Sequence, residues 1–180
     1  MKMRHFLLFL LVAILAASLG MFVSHGRTAP PAALARLFAQ TMPDVDGKQQ
    51  SLSRWKGKPL IINFWATWCA PCVEEMPELA ALQAEIAPVQ IIGIGIDSQE
   101  NITRFAKKLS IPYPLYVAGG ATTDLLRQFG NQAGGLPFTV LVGLDGKLEK
   151  VYLGRLDFDM LRHDLASLKN KQTAASAASH

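Results

Sequence analysis

Cysteine is nearly absent from this chain: its 180 residues hold two, Cys69 and Cys72. A disulfide framework is thereby excluded as scaffold, and one domain of this length buries a full core without staples. Histidine is sparse as well. The four present, His5, His25, His163 and His180, are scattered, and no second cysteine pair exists, so a structural zinc site lacks its remaining ligands. Val73 follows Cys72 where c-type haem attachment needs histidine, which excludes that chemistry. A long basic stripe is missing too. The net charge of +4 is spread among mixed signs without interleaved aromatics, so nucleic acid is not an expected partner. The run "DVDGK" at 44–48 lacks the later ligands of a calcium loop and reads as a turn. No internal repeat is present.

Half of the residues are hydrophobic and 18% are charged, the composition of a globular domain with an apolar addition. The addition is N-terminal. Behind Lys2 and Arg4, Phe6 to Val23 runs 18 residues without a charge. As a helix that is about 27 Å, enough for a bilayer core. The basic front end stays cytoplasmic, placing the chain beyond Val23 outside, where disulfides persist. Ala16-Ala17-Ser18 offers the small residues of a signal-peptidase site, but the apolar run continues through Leu19 and Met21 to Val23. That continuation favours a signal anchor over residues 1–23 to a cleaved, secreted form. Residues 24–36, with Pro30-Pro31 and several alanines, read as a linker. The domain is expected over 37–169, and the small polar residues of 170–180 as a disordered tail.

Within the domain, Asp46-Gly47 marks a hairpin turn between Phe38–Gln40 and Gln50–Leu52. Leu60–Trp65 is an apolar run broken by Asn63, the pattern of a central strand. A helix is predicted over Cys69–Ala87, with Pro71 in its first turn. Further elements are a strand over Gln90–Ile96, a helix over Ser98–Leu109, a strand over Leu115–Val117 and a helix over Thr122–Phe129. Strands over Phe138–Val142 and Leu148–Leu153 meet at Asp145-Gly146, and Asp157–Leu168 is the closing helix. Parallel strands joined by helices, then an antiparallel pair, make one α/β domain with a mixed sheet covered on both faces.

The two cysteines enclose Ala70-Pro71 at the predicted start of a helix. A bridge closing so short a loop restrains little of the unfolded chain, so stapling is a poor use of the spacing. Redox chemistry uses it well. At a helix N-terminus, unpaired N–H groups and the helix dipole favour the Cys69 thiolate, the attacking species. Cys72, one turn on, is placed to resolve a mixed disulfide. Two thiolates also suit Cu(I), so a copper-binding chaperone is the alternative from another class.

"NFWATWCAPC", 63–72, and "GGLPFTV", 134–140, resemble the thioredoxin superfamily, and specifically its membrane-tethered, TlpA- and ResA-like branch. The similarity covers 37–169 and includes the lead-in "SLSRWKGKPLIINFWATWC". It implies a thioredoxin fold with an N-terminal β-hairpin extension and a central insert. By the same resemblance Cys69 is the nucleophile and Cys72 the resolving thiol. Trp68, just before the thiols, and Pro71, between them, lie on the client side. Pro137 is the cis-proline beside them, and Leu136 presents backbone to a client strand. Glu75 matches an acidic residue that handles protons. Asn63 stands where cytoplasmic thioredoxins carry a buried aspartate, which leaves proton transfer to Glu75 or water.

The implied activity is that of an extracytoplasmic thiol-disulfide oxidoreductase at the bacterial inner membrane. The expected direction is reduction of partner-protein disulfides, with apocytochrome c or copper and oxidase assembly proteins as clients. A transmembrane thiol donor would recharge it, and no metal or organic cofactor is implied beyond the Cys69–Cys72 disulfide. A disulfide-introducing oxidant is the second enzymatic reading, although such oxidants usually carry histidine between their cysteines. A thiol peroxidase would need proline and threonine or serine where Ile62 and Ala66 stand.

Overall fold

A computed structural model describes residues 30–119 and 122–177 of the chain. The signal anchor predicted over residues 1–23 and the first part of the predicted linker lie outside the described residues. No helix among the described residues is long and apolar enough to cross a membrane.

The five-stranded sheet is built around Leu60–Trp65 (β3), whose six residues are all buried. Gln90–Gly95 (β4) runs parallel to it and Leu115–Val117 (β5) parallel to β4. On the other side Phe138–Val142 (β6) and Leu148–Leu153 (β7) are antiparallel, giving the order β5-β4-β3-β6-β7. Thr41–Pro43 (β1) and Gln49–Ser51 (β2) form a separate hairpin, closed at Asp46-Gly47 and bridged to β5 between Asp44 and Tyr116. Side chains alternate along β3. Ile61 and Trp65 face the helices Ala70–Gln83 (α2), Gln99–Leu109 (α3) and Phe158–Ala177 (α5). Leu60, Ile62 and Phe64 face Pro30–Phe38 (α1) and Thr122–Gln128 (α4). This is the thioredoxin fold, with β1–β2 as the extension and α3–β5 as the insert between β4 and α4.

The sequence-based expectations need four corrections. The second half of the expected linker is helix α1. Pro30 and Pro31 occupy its first turn, where a missing N–H costs nothing, and Ala33, Leu34, Leu37 and Phe38 make a buried stripe at helical spacing. Phe38 therefore belongs to that helix, and the hairpin's first strand starts at Thr41, three residues later than expected. Helix α2 stops at Gln83 because its end tightens into i to i+3 bonds, Ala84 N–H to Ala81 O and Glu85 N–H to Leu82 O. Finally, the expected disordered tail continues α5 as far as Ala177. The segment 169–177 holds alanine, lysine and glutamine without a glycine or proline stop, and Lys171 pairs with Glu149 at 3.1 Å.

Candidate functional site

Strand β3 delivers the chain to the C-terminal edge of the sheet, where Ala66 to Trp68 turn it into α2. Thr67 donates a hydrogen bond to the Asp97 carboxylate, and Asp97 also accepts from the Ser98 N–H and the Asn101 amide. The turn is thus tied to the end of β4. Cys69 is the N-cap of α2, extended at φ −91° and ψ 97°, and its carbonyl accepts from the Val73 N–H at 3.1 Å. Pro71 sits in the first turn, where no donor is needed. Cys69 and Cys72 are joined as a disulfide.

The two sulfur-bearing residues differ in access. Cys69 keeps 6% of its surface exposed and Cys72 keeps none. An approaching thiolate or disulfide meets Cys69 first. Trp68, beside it, is 70% exposed, an unusual place for an indole unless something covers it in use.

The Leu136–Pro137 peptide bond is cis. Phe138 pairs with Phe64 across β3 and β6, so Pro137 lies at the Trp65 end of β3, the end that carries the thiols. Asn131, 3% exposed, holds the preceding loop. Its amide donates to the Gly135 carbonyl at 2.8 Å and its carbonyl accepts from the Gly135 N–H at 3.1 Å. Gly134 supplies the left-handed turn between them, at φ +65°. Pro137 O accepts from the Gly154 N–H at 2.9 Å, which anchors the loop to the end of β7.

Beneath the disulfide lies a carboxyl. Glu75 is one helical turn after Cys72 on the same buried face and is 1% exposed. Oε1 accepts from the Asn63 amide at 2.9 Å and Oε2 from the Leu156 N–H at 3.0 Å. Burial dominates and pushes its pKa above the ordinary glutamate value, against the opposing pull of those two bonds and of Arg155. Asn63 also donates to the Thr139 hydroxyl at 3.0 Å, so strands β3 and β6 are both linked to the helix through this group. Tyr113, in the loop before β5, is buried, and its phenol is pushed up by burial and then by the charge of Glu75.

The structure therefore gathers Trp68, Cys69, Pro71, Cys72 and Glu75 at one strand–helix junction, with Leu136 and Pro137 at the same end of the sheet. Three contributors escape sequence reasoning. Thr139 and Asn131 are buried polar residues in or beside loops and strands, and Tyr113 reads as a core aromatic. A weak signal exists for Asn131 alone, which precedes a glycine pair by three residues in "NQAGGLP".

Comparison with known proteins points the same way. Residues 25–168 match the family model described as Redoxin. The chain is similar to the thiol-disulfide oxidoreductase ResA of Geobacillus thermodenitrificans, 29% identical over 150 residues, which is 82% of this chain and 79% of that one. To ResA of Bacillus subtilis it is 31% identical over 130 residues, 71% of this chain and 70% of that one. Among solved structures, a putative thioredoxin from Neisseria meningitidis aligns at TM-score 0.61 and 29% identity, over 76% of this chain and 91% of that one. MTB dsbF shares the fold, with TM-score 0.63 at 22% identity over 76% of this chain and 97% of that one.

Proposed function

The chain belongs to the Redoxin family as a TlpA- and ResA-like thiol-disulfide oxidoreductase of the thioredoxin superfamily, and on that premise we propose that it reduces disulfides of partner proteins outside the cytoplasm. The observation that carries this reading is the unequal burial of the two sulfurs above a buried carboxyl. In the reduced protein, the Cys69 thiolate attacks a client disulfide, forming one S–S bond and releasing one client thiolate. Cys72 then gives its proton to Glu75 and attacks Cys69. The Cys69–Cys72 bond forms, the Cys69–client bond breaks, and the second client thiolate leaves. Two electrons have passed to the client from the sulfur pair, with no metal or organic cofactor required. Trp68, Leu136 and Pro137 form the face on which the client segment lies. Phe6 to Val23 anchors the domain on the outer side of the inner membrane, and a transmembrane thiol donor returns the electrons. Clients in cytochrome c maturation or in copper and oxidase assembly suit a reductase at that place.

The test is the reduction potential of Cys69–Cys72 in the detergent-solubilised chain, equilibrated against glutathione or dithiothreitol. Thioredoxin-like and strongly oxidising pairs differ by about 150 mV, roughly 7 kcal/mol for two electrons. A value at or below about −250 mV is expected of a reductase. A value above about −150 mV would make the protein a disulfide donor and overturn the proposed direction of electron flow.

A further inference from the structure

Trp68 is 70% exposed, so packing does little to set its direction, and the backbone that carries it must do so. Residues 66–69 form a turn closed by the Cys69 N–H to the Ala66 carbonyl at 3.2 Å, with Thr67 and Trp68 as its central pair. On the strand side the turn is fixed, because the Trp65 carbonyl accepts from the Ile96 N–H at 2.7 Å. On the helix side the Cys69–Cys72 disulfide holds it. That second hold is released when the pair is reduced, and the reduced protein is the form that meets a client disulfide.

Thr67 supplies a hold that does not depend on the redox state. Ala66 has no polar side-chain atom, but the Thr67 hydroxyl donates to Asp97 Oδ2. Asp97, half-buried just beyond β4, is itself fixed, since its Oδ1 accepts from the Ser98 N–H at 2.7 Å and from the Asn101 amide at 2.9 Å. Capping of α3 does not by itself call for that carboxylate. Ser98 is already the N-cap, with its hydroxyl accepting from the Asn101 N–H at 3.2 Å. The first turns of α3 are braced on another side by the β1–β2 hairpin. Gln99 Nε2 donates to the Asp44 carbonyl at 2.8 Å and to the Val45 carbonyl at 3.2 Å, and the Thr103 hydroxyl also donates to Val45. Contacts therefore run without a break from the hairpin through α3 and Asp97 to the turn. Burial alone would raise the Asp97 pKa, but hydrogen bonds from Thr67, Asn101 and Ser98 prevail and hold it below the ordinary value. The acceptor is thus charged at neutral pH, where its hydrogen bonds are strongest.

We propose that Asp97 is a positioning residue for client recognition: through Thr67 it fixes the turn that aims Trp68 in the reduced protein, so that a protein client meets a platform already in place. This rests on Trp68 serving as the client platform. Without the tie, the client must order the turn as it binds. That cost appears as weaker binding and leaves the exchange between sulfurs alone.

The experiment mixes the full-length, detergent-solubilised protein, fully reduced, with insulin as a protein disulfide or with oxidised glutathione at neutral pH. Acid quenching, alkylation and mass spectrometry then count the oxidised Cys69–Cys72 pair. The dependence of rate on insulin concentration gives a half-saturating concentration and a limiting rate. Thr67→Val removes the hydroxyl at nearly constant volume. It should raise the half-saturating concentration by about two- to tenfold, with the limiting rate and the glutathione rate those of the parent. Thr67→Ser keeps the hydroxyl and should behave as the parent. Asp97→Ala should show the same rise and add nothing to Thr67→Val, its loss of the Ser98 and Asn101 bonds being read separately as thermal stability. In a Trp68→Ala background neither change should move half-saturation. A turn that merely supports the fold would slow insulin and glutathione alike, with or without Trp68, and that result would overturn the role of Asp97. So would a Thr67→Val variant that matches the parent while Trp68→Ala weakens insulin binding, an outcome that leaves the platform standing. If Trp68→Ala itself saturates with insulin as the parent does, the platform reading fails and the positioning role falls with it.

Discussion

Replacing Glu75 by glutamine should make the protein's stability respond to pH in one direction only, and by a calculable slope. In the folded protein burial raises the Glu75 pKa above its ordinary value of 4.5. A carboxyl raised on folding favours the folded state while protonated, so its contribution is complete below the unfolded value and is lost as pH rises through the folded value. Between those two values the unfolded chain holds fewer protons at this site than the folded one. Stability attributable to Glu75 then falls by up to about 1.4 kcal/mol per pH unit. Above the folded value the loss is constant, and each unit of displacement corresponds to about 1.4 kcal/mol. Glutamine cannot charge. It also presents an amide donor to either the Asn63 amide or the Leu156 N–H, both of which donate to Glu75, so the variant forfeits one buried bond. That costs about 1–3 kcal/mol at all pH values. Glu75→Gln should therefore be less stable than the parent at pH 4 and should close the gap, or overtake, as pH rises. The measurement is urea unfolding of both oxidised proteins from pH 4 to 9, plotted as a difference. Subtraction removes Asp97 and Asp164, whose pKa values are lowered: burial resists, and hydrogen bonds from Thr67 and Asn101 at Asp97, and from Lys150 and Tyr152 at Asp164, prevail. A difference that is flat with pH, or that widens in the parent's favour as pH rises, would refute the claim that burial governs this carboxyl.

Two further expectations come from the accessibility of the site. Cys72→Ser should accumulate a mixed disulfide through Cys69, whereas Cys69→Ser should form almost none, because Cys72 is fully buried. Mass spectrometry of the trapped adducts decides it, and comparable yields from both variants would contradict the assignment of the attacking sulfur. Trp68→Ala should change unfolding free energy by less than about 0.5 kcal/mol, since the indole is 70% exposed. It should raise KM for a folded protein client by about tenfold, or about 1.4 kcal/mol, while leaving reaction with glutathione disulfide unaltered. Equal losses on both substrates would mean that Trp68 shapes the thiol turn and does not serve as a client platform.

What was legible from residues alone divides along a physical line. Strands β3, β5 and β6 fall at their expected bounds because a strand buried on both faces is a dense apolar run, visible without any partner, whereas β7, mostly exposed, was found through the Asp145-Gly146 turn before it. The position of Cys69 at a helix start was legible from two thiols, a first-turn proline and the strand before them. Composition misleads where a segment's character depends on what it touches. Alanine and proline before Leu37 look like a spacer, yet Ala33 and Leu34 become core once the chain folds back over β3 and α4. The run from 170 looks like a tail because it is small and polar, yet nothing in it as far as 177 stops the helix after it leaves the core at Leu168. The candidate site shows the same division more sharply. The substitution of asparagine for aspartate at 63 is visible in one dimension, but its consequence is not. Asn63 and Glu75 lie on different elements, and only the packing of α2 on β3 turns them into donor and acceptor at 2.9 Å. Burial holds the Glu75 pKa high against the opposing pull of the Asn63 amide, where a second carboxylate would have raised it further and split the titration between two groups.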